Sequence, residues 1–404
     1  MIVKISNFFQ VHKRKLAALA VVGACDSPLG LNVKLQVIPW LIGCVWFAAS
    51  ATPPPLALLL FLSLGFVPLH GLEPLVWGAY VTVKTVGFWG FSCWLRTLTA
   101  RDIIVPLKII LCVAILTFFV AVFFTHSVET KHVGDFSIPR VAGINRGGLH
   151  SAAVYAMFSL VALAIGLKRT ALAFAALCLF GSSYMATIAL VLSAGIMCCK
   201  SLKVARLASL LILVVSIAYP VFSFFYGTLP ENIQCQLVYA SNSRTPYQYL
   251  YTKYGTGEFF GHGHQRENDY LRHILDKPAA KEYMAFMSEK YSIYIKQKKN
   301  ESQDGIQEQA QEYSPYLEFL TRTTAPHNLL IMVLVQYGIF GCFVFVAMLI
   351  FLLRSIWNMP QYAHALWFYA IAYHIVNDFH YFIFFFSLGV CQMVLWEEGE
   401  PKTL

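Results

Sequence analysis

Long apolar runs recur along almost the whole chain, and they limit what it can fold into. Ile103–Thr125, Leu207–Phe225 and Leu329–Leu353 each reach or approach the roughly 20 apolar residues a helix needs to cross a bilayer. Lipid offers an open backbone no hydrogen-bond partner, so repeated runs of this kind must be helices. Of the 404 residues, 58% are hydrophobic and 13% charged, against roughly 45–50% and about 25% in soluble domains. The excess is too widely spread for one soluble core. Met1–Lys15 is polar and basic, and no small-residue cleavage site follows the next apolar run, so a removable signal peptide is not expected.

Hydropathy predicts about twelve spans. They run approximately over Lys15–Gly30, Leu35–Ser50, Pro55–His70, Leu72–Leu95, Ile103–Thr125, His150–Leu167, Thr170–Gly181, Tyr184–Cys199, Leu207–Phe225, Leu329–Leu353, Tyr362–Ile375 and Phe379–Trp396. The expected fold class is an all-α polytopic membrane protein. Basic residues cluster at Lys13–Lys15, at Arg96 and Arg101, at Lys168 and Arg169, at Lys200, Lys203 and Arg206, and at Arg354. With about twelve spans these all fall on one side, which the positive-inside rule makes cytoplasmic together with both termini. The chain then divides into three parts. Residues 1–226 hold about nine spans and a short outer segment at 126–149. Residues 227–326 form a large outer loop, and residues 327–404 hold about three spans and a short cytoplasmic tail. The net charge of +9 suggests nucleic acid until it is mapped: the loop carries 11 Lys or Arg against 12 Asp or Glu. The surplus lies in the membrane part, which is the positive-inside pattern. Of ten cysteines only Cys235 falls in the loop, so no disulfide within the loop is expected.

A loop this long is usually functional or disordered. Here Tyr270, Leu271 and Ile274, then Tyr283, Phe286, Met287, Tyr291 and Tyr294, recur at helical spacings with Lys277-Pro278 between them. That pattern predicts a small helical subdomain on the membrane surface. Arginine on the outer side runs against the positive-inside rule and is informative there. Arg140 and Arg146 stand in Ile138–His150, and Arg244, Arg266, Arg272 and Arg322 in the loop. A guanidinium matches phosphate oxygens bidentately, which suits a phosphorylated lipid head group. The alternative is pairing with the loop carboxylates; the residues around Arg140 and Arg244 favour phosphate.

His327 sits where the loop re-enters the membrane, in Thr324-Ala-Pro-His-Asn-Leu-Leu-Ile-Met. Histidine trades protons near neutral pH and could deprotonate a sugar hydroxyl there; otherwise it is a polar helix cap. His262-Gly-His264, with Glu267 and Asp269 nearby, invites a zinc reading. No further spaced ligand set follows, and Gly261 and Gly263 suit a tight turn, so neither a metal nor another cofactor is expected. His374, Asp378 and His380 cluster at the outer ends of the last two spans, and Lys84 lies inside the fourth. Ionisable groups near the membrane usually face a cavity; the alternatives are a polar turn and a snorkelling lysine. The chain has no phosphate-binding Gly-rich loop with its Lys and no helix with paired zinc histidines, which argues against ATP-driven transport. Nor does it show matching Gly/Pro-broken spans in two halves, as a transporter would.

These residues give the chain a resemblance to the O-antigen ligase and polymerase superfamily of bacterial envelope glycosyltransferases. The match lies in the span pattern, with one long loop before the last three spans. It lies also in the loop opening, Ser243-Arg244 through Glu258-Phe-Phe-Gly-His-Gly263, and in the loop exit, His327-Asn328 through Gly338-Ile-Phe-Gly341. The fourth part is Arg140-Val-Ala-Gly143 before a span. The resemblance covers most of the chain from Gly134 onward. It implies a GT-C-like fold in a bacterial inner membrane, with a partly helical periplasmic loop. It implies metal-independent transfer of a glycan from an undecaprenyl diphosphate carrier, without nucleotide sugar or ATP. His327 would then activate the acceptor hydroxyl, with Asn328, Asp378 and His380 lining the site. Arg244 and Arg140, with Arg146, would bind and neutralise the departing diphosphate.

One position departs from the family. A Ser/Thr-Arg pair is usual at the outer start of the eighth span, where this chain reads Gly181-Ser-Ser-Tyr-Met-Ala186. Arg140 or Arg146 substitutes for it, or the phosphate grip differs. The expected function is transfer onto lipid A-core or a comparable acceptor. A polymerase joining two lipid-linked repeat units would use the same chemistry. A non-catalytic lipid-linked glycan transporter would need a continuous polar path through the spans, and Lys84 alone offers little of one.

Overall fold

The computed structural model describes residues 2–25, 34–50, 53–67, 72–124, 128–133, 136–141, 143–145, 148–181, 183–240, 245–255, 259–264, 274, 276–301, 328–375, 377 and 380–393. The helices are α1 (Ile2–Val11), α2 (Lys13–Val22), α3 (Val37–Ser50), α4 (Leu56–Leu64), α5 (Leu72–Leu95), α6 (Ala100–Phe123), α7 (Gly148–Ala164), α8 (Lys168–Phe180), α9 (Tyr184–Cys198), α10 (Leu202–Phe225), α11 (Glu231–Ala240), α12 (Thr245–Gly255), α13 (Pro278–Glu301), α14 (Leu329–Ser355), α15 (Gln361–Ile375) and α16 (Tyr381–Cys391). An antiparallel hairpin of β1 (Val128–Val133) and β2 (Phe136–Val141) follows α6, with Glu129 in register with Arg140.

Each segment read as a span contains one helix, α2 to α10 and α14 to α16. Three helical stretches are long and apolar enough to cross a membrane: Ala100–Phe123 at 24 residues, and Leu202–Thr228 and Leu329–Ser355 at 27 each. Their outward faces carry apolar side chains such as Leu116, Leu207 and Phe351, each at least 58% exposed. Helices apolar on both faces suit a lipid surrounding rather than water.

Local chemistry fixes where the helices begin. The Ser183 and Ser201 side chains accept hydrogen bonds from the amides of Ala186 and Val204, capping α9 and α10. Thr99 and Asp102 form a capping box at the start of α6. The same buried Asp102 carboxylate holds Lys13 Nζ at 3.0 Å and Arg14 Nε at 3.4 Å, tying the start of α2 to the start of α6.

The helix ends sort into two groups. At one end Arg206 donates to the Trp357 carbonyl at 2.8 Å and to Asn358 Oδ1 at 3.0 Å. Beside it Gln392 reaches Ser355 Oγ at 2.6 Å, and the Tyr362 hydroxyl donates to the Met393 carbonyl at 2.6 Å. Gly389 near the end of α16 packs against Leu95 at the end of α5. The basic residues flanking α2, α5, α6, α10 and α14 therefore share this end. At the other end stand the starts of α3, α7, α14 and α16.

Beyond α10, α11 and α13 are joined by an ion pair of 2.9 Å between Glu231 and Lys290. Their core of Val238, Met284 and Met287 is continuous with Ile331 and Val335 of α14. α12 lies between α10 and α14 with nearly all its side chains buried. Two of its polar side chains are bonded locally: Tyr219 donates to Gln248 Oε1 at 2.9 Å, and Thr252 Oγ1 to the Gln248 carbonyl at 2.9 Å.

Candidate functional site

α14 is broken at Gly338, whose φ of 69° and ψ of −170° turn the chain out of the helix. The break leaves the carbonyls of Val335 and Gln336 without their usual intrahelical donors. Buried backbone groups need partners, and the segment Phe259–His264 supplies them. His262 N donates to Val335 O at 3.1 Å, and Gly263 N to Gln336 O at 2.8 Å. In return Phe340 N donates to Phe259 O at 3.2 Å. The stitch needs glycine on both sides. Gly261 also has a φ of 69°, and a Cβ there would stand 2.5 Å from Gly338 N. A Cβ at Gly338 would overlap the Phe259 carbonyl oxygen. The Gly-x-Gly of the loop opening and the Gly-Ile-x-Gly of the loop exit are thus one packed unit.

His264 pins this unit to α4. Its Nε2 faces the Leu62 carbonyl at 3.0 Å and must carry the proton, because a carbonyl only accepts. In the neutral ring Nδ1 is then an acceptor, and the Tyr337 hydroxyl donates to it at 3.2 Å. Its amide donates to Gly65 O at 3.0 Å. Both ring nitrogens are used, so His264 holds packing together and has no lone pair for a metal. Among the described residues no group of three or more His, Cys, Asp or Glu side chains is placed to hold an ion.

Beside the stitch lies a cavity of about 550 Å3, walled by α4 and α14 on one side and α5 and α16 on the other. Its polar lining includes Gln36, Lys84, Asn145, His150, Gln336 and His380. His374 does not line it. Its Nδ1 donates to the Ala370 carbonyl, and its Nε2 accepts from the His380 amide at 3.1 Å. His380 caps α16, Nδ1 accepting from Ile383 N at 3.3 Å. The proton of the neutral ring therefore sits on Nε2, which faces the Gln36 amide at 3.2 Å. Two donors cannot face each other, so the Gln36 carboxamide turns its oxygen to His380. The ring of His150 stands 5.7 Å from that of His380, centre to centre. His380 is thus set to donate a hydrogen bond rather than to take a proton.

The remaining sequence candidates are distributed unevenly. Asn328 caps α14, Oδ1 accepting from Ile331 N at 2.8 Å, and its amide donates to the Ile375 carbonyl. It fixes the loop exit to the end of α15. Ser183, where the resemblance leads one to look for a Ser/Thr-Arg pair, is the cap of α9, and Tyr184 follows it in place of an arginine. Arg140 lies on β2, where only its backbone is described. His327, Arg146, Arg244 and Asp378 lie outside the described residues, as do Arg266, Glu267, Asp269, Arg272 and Arg322. Sequence reasoning singled out Lys84 and His380 separately but missed Gln36 and Gln336, whose uncharged side chains carry no signal in an apolar run. The chain matches no family model, no curated protein and no solved structure.

Proposed function

We propose that the protein is an O-antigen ligase-like membrane glycosyltransferase. On this reading it spans the bacterial inner membrane about twelve times, with both termini in the cytoplasm. It moves a glycan from undecaprenyl diphosphate to lipid A-core or a comparable acceptor on the periplasmic face. The observation that carries the reading is the stitch between Phe259–His264 and Val335–Phe340. Two motifs separated by most of the loop meet next to a cavity that reaches into the helices. A donor whose lipid stays in the membrane and whose glycan stays outside needs such a junction. His327, at the loop exit beside Asn328, takes the acceptor proton as base. Arg244, next to the first residue of α12, neutralises the departing diphosphate together with Arg140 and Arg146.

A positioned base contributes about 10²–10⁴-fold in rate. His327→Ala and His327→Gln should therefore abolish detectable transfer in a reconstituted assay, while the protein accumulates normally. Arg244→Lys keeps charge but loses the bidentate fork, and should fall between wild type and Arg244→Ala. A His327→Gln protein working near the wild-type rate would sink the mechanism. Deleting the gene separates the acceptors. Long chains left on the carrier indicate a ligase, and single repeats on the core indicate a polymerase joining lipid-linked units.

A further inference from the structure

The segment that closes the break in α14 is built inside out. Phe259 and Phe260 are 59% and 38% exposed, while Gly261, Gly263 and His264 are buried. A loop in water turns its large apolar side chains inward and its polar ones outward. Here the imidazole is inside and the two phenyl rings are outside. The rings are not scattered. Phe259 stacks on Phe340 of α14, with centres 5.6 Å apart and planes 19° apart. Phe260 meets Phe259 edge to face at 4.8 Å and Phe340 at 6.2 Å. Phe343, three residues on and so on the same face of α14, is 70% exposed and extends the apolar surface along the helix. The loop and a helix apolar enough to cross a membrane thus share one aromatic cluster.

Two helices measure where this cluster lies. Gly338 comes nine residues after Leu329, the first residue of α14, or about 14 Å along the helix. The His264 ring packs against Gly78, six residues after Leu72, the first residue of α5, or about 9 Å along. Both helices begin at the end opposite the basic residues. The segment therefore lies alongside the helices and not beyond their ends. Irregular backbone at such a depth needs its polar groups satisfied by protein. The amides of His262, Gly263 and His264 donate to the carbonyls of Val335, Gln336 and Gly65, so this segment meets the condition.

We propose that Phe259 and Phe260 form a wedge inserted among the acyl chains of the leaflet away from the basic helix ends. The chain re-enters the membrane there without crossing it, between α12 and α13. Residues 227–326 are then not an outer loop throughout, and the loop is held in the bilayer at an interior point as well as at its two ends. Acyl chains fit the surface because it is apolar, continues onto Phe343 of α14, and has its one buried imidazole turned away from it. The wedge rests on the membrane placement of α14 and not on the transfer reaction.

The test uses the full-length wild-type protein in vesicles of phosphatidylethanolamine and phosphatidylglycerol. These contain a phosphatidylcholine with a diazirine midway along one acyl chain. Light releases a carbene that inserts into neighbouring C–H bonds, and peptide mass mapping reads the adducts. Phe259 and Phe260 should be labelled as heavily as Phe343, and a water-soluble diazirine should leave all three unlabelled. Labelling of Phe259 and Phe260 by the water-soluble reagent would place them in water and overturn the wedge. Labelling of Phe343 alone by the lipid would show that protein, such as a second copy of this chain, covers the rings, and would overturn it too. Absence of lipid labelling at all three would remove the membrane face on which the wedge rests. A second measurement compares Phe260→Leu with Phe260→Asp. A carboxylate in hydrocarbon is costly, whereas a surface substitution in water is close to neutral. Phe260→Leu should accumulate in the membrane like wild type and Phe260→Asp far below it; equal accumulation would contradict the proposal. His327→Gln should be labelled like wild type, so a failed transfer assay and a failed wedge give different results.

Discussion

The imidazole of His264 is held from two sides, by the Leu62 carbonyl and by the Tyr337 hydroxyl. Replacing it with alanine removes both bonds and leaves a void under Gly65, which should destabilise the protein by about 2–4 kcal/mol. The midpoint of thermal inactivation reports this, and a midpoint equal to wild type would contradict it. Burial lowers the pKa of this histidine, the bond to Leu62 acting the other way. The unfolded chain binds the proton below about pH 6.5, where the folded form resists it, so stability falls as the pH drops below that value. The loss of midpoint between pH 7 and pH 5 should shrink in His264→Asn. An equal loss in that variant would put the titration on another group. The sequence shows His262-Gly-His264 as a pair at zinc-like spacing. It does not show that the partners of His264 come from segments about two hundred residues upstream and seventy downstream, and those partners decide between ligand and latch.

At the scale of elements, the break in α14 depends on glycine twice over, for a positive φ and for close approach. Gly261→Ala and Gly338→Ala should each destabilise by more than about 2 kcal/mol, combining the left-handed penalty with the overlap. Gly195→Ala is the matched control, because a Cβ there meets nothing within 4 Å; it should be neutral or slightly stabilising. Accumulation and thermal midpoint of the three variants decide the matter, and a Gly338→Ala protein as stable as Gly195→Ala would refute the stitch. Hydropathy made the helices legible, since α6, α10 and α14 are apolar around their whole circumference. It hid the break, because Gly338 sits inside an apolar run and a single glycine is tolerated there. It also hid α12: Thr245-Pro-Tyr-Gln-Tyr-Leu-Tyr-Thr-Lys-Tyr-Gly255 reads as polar loop. Gln248 and Thr252 find partners on α10 and within α12 itself, which offsets part of the cost of burying so polar a segment.

Across the whole molecule, basic residues gather at one end of the helices and the Lys84 cavity opens nearer the other. The proposed topology follows if the basic end is cytoplasmic. A cysteine at Ser302 should then react with a membrane-impermeant thiol reagent in intact spheroplasts, while one at Ser201 should not. The reverse pattern would move the proposed site to the cytoplasm. The native loop thiol contributes little background, since Cys235 is buried and burial, ahead of the Glu231 carboxylate, raises its pKa. The charge pattern was readable because it is local to each span end. The cavity was not, because it draws three or more side chains from each of α4, α5, α14 and α16, which no window of sequence joins. The stitch at Gly338 also sets what can be exchanged between this protein and another. A loop transplanted from 227 to 326 would bring new donors to old carbonyls, with the match between them left to chance. The unit of inheritance is wider than the loop: its opening and the broken half of α14 travel together, and a chimera that respects the fold must cut after Gly341.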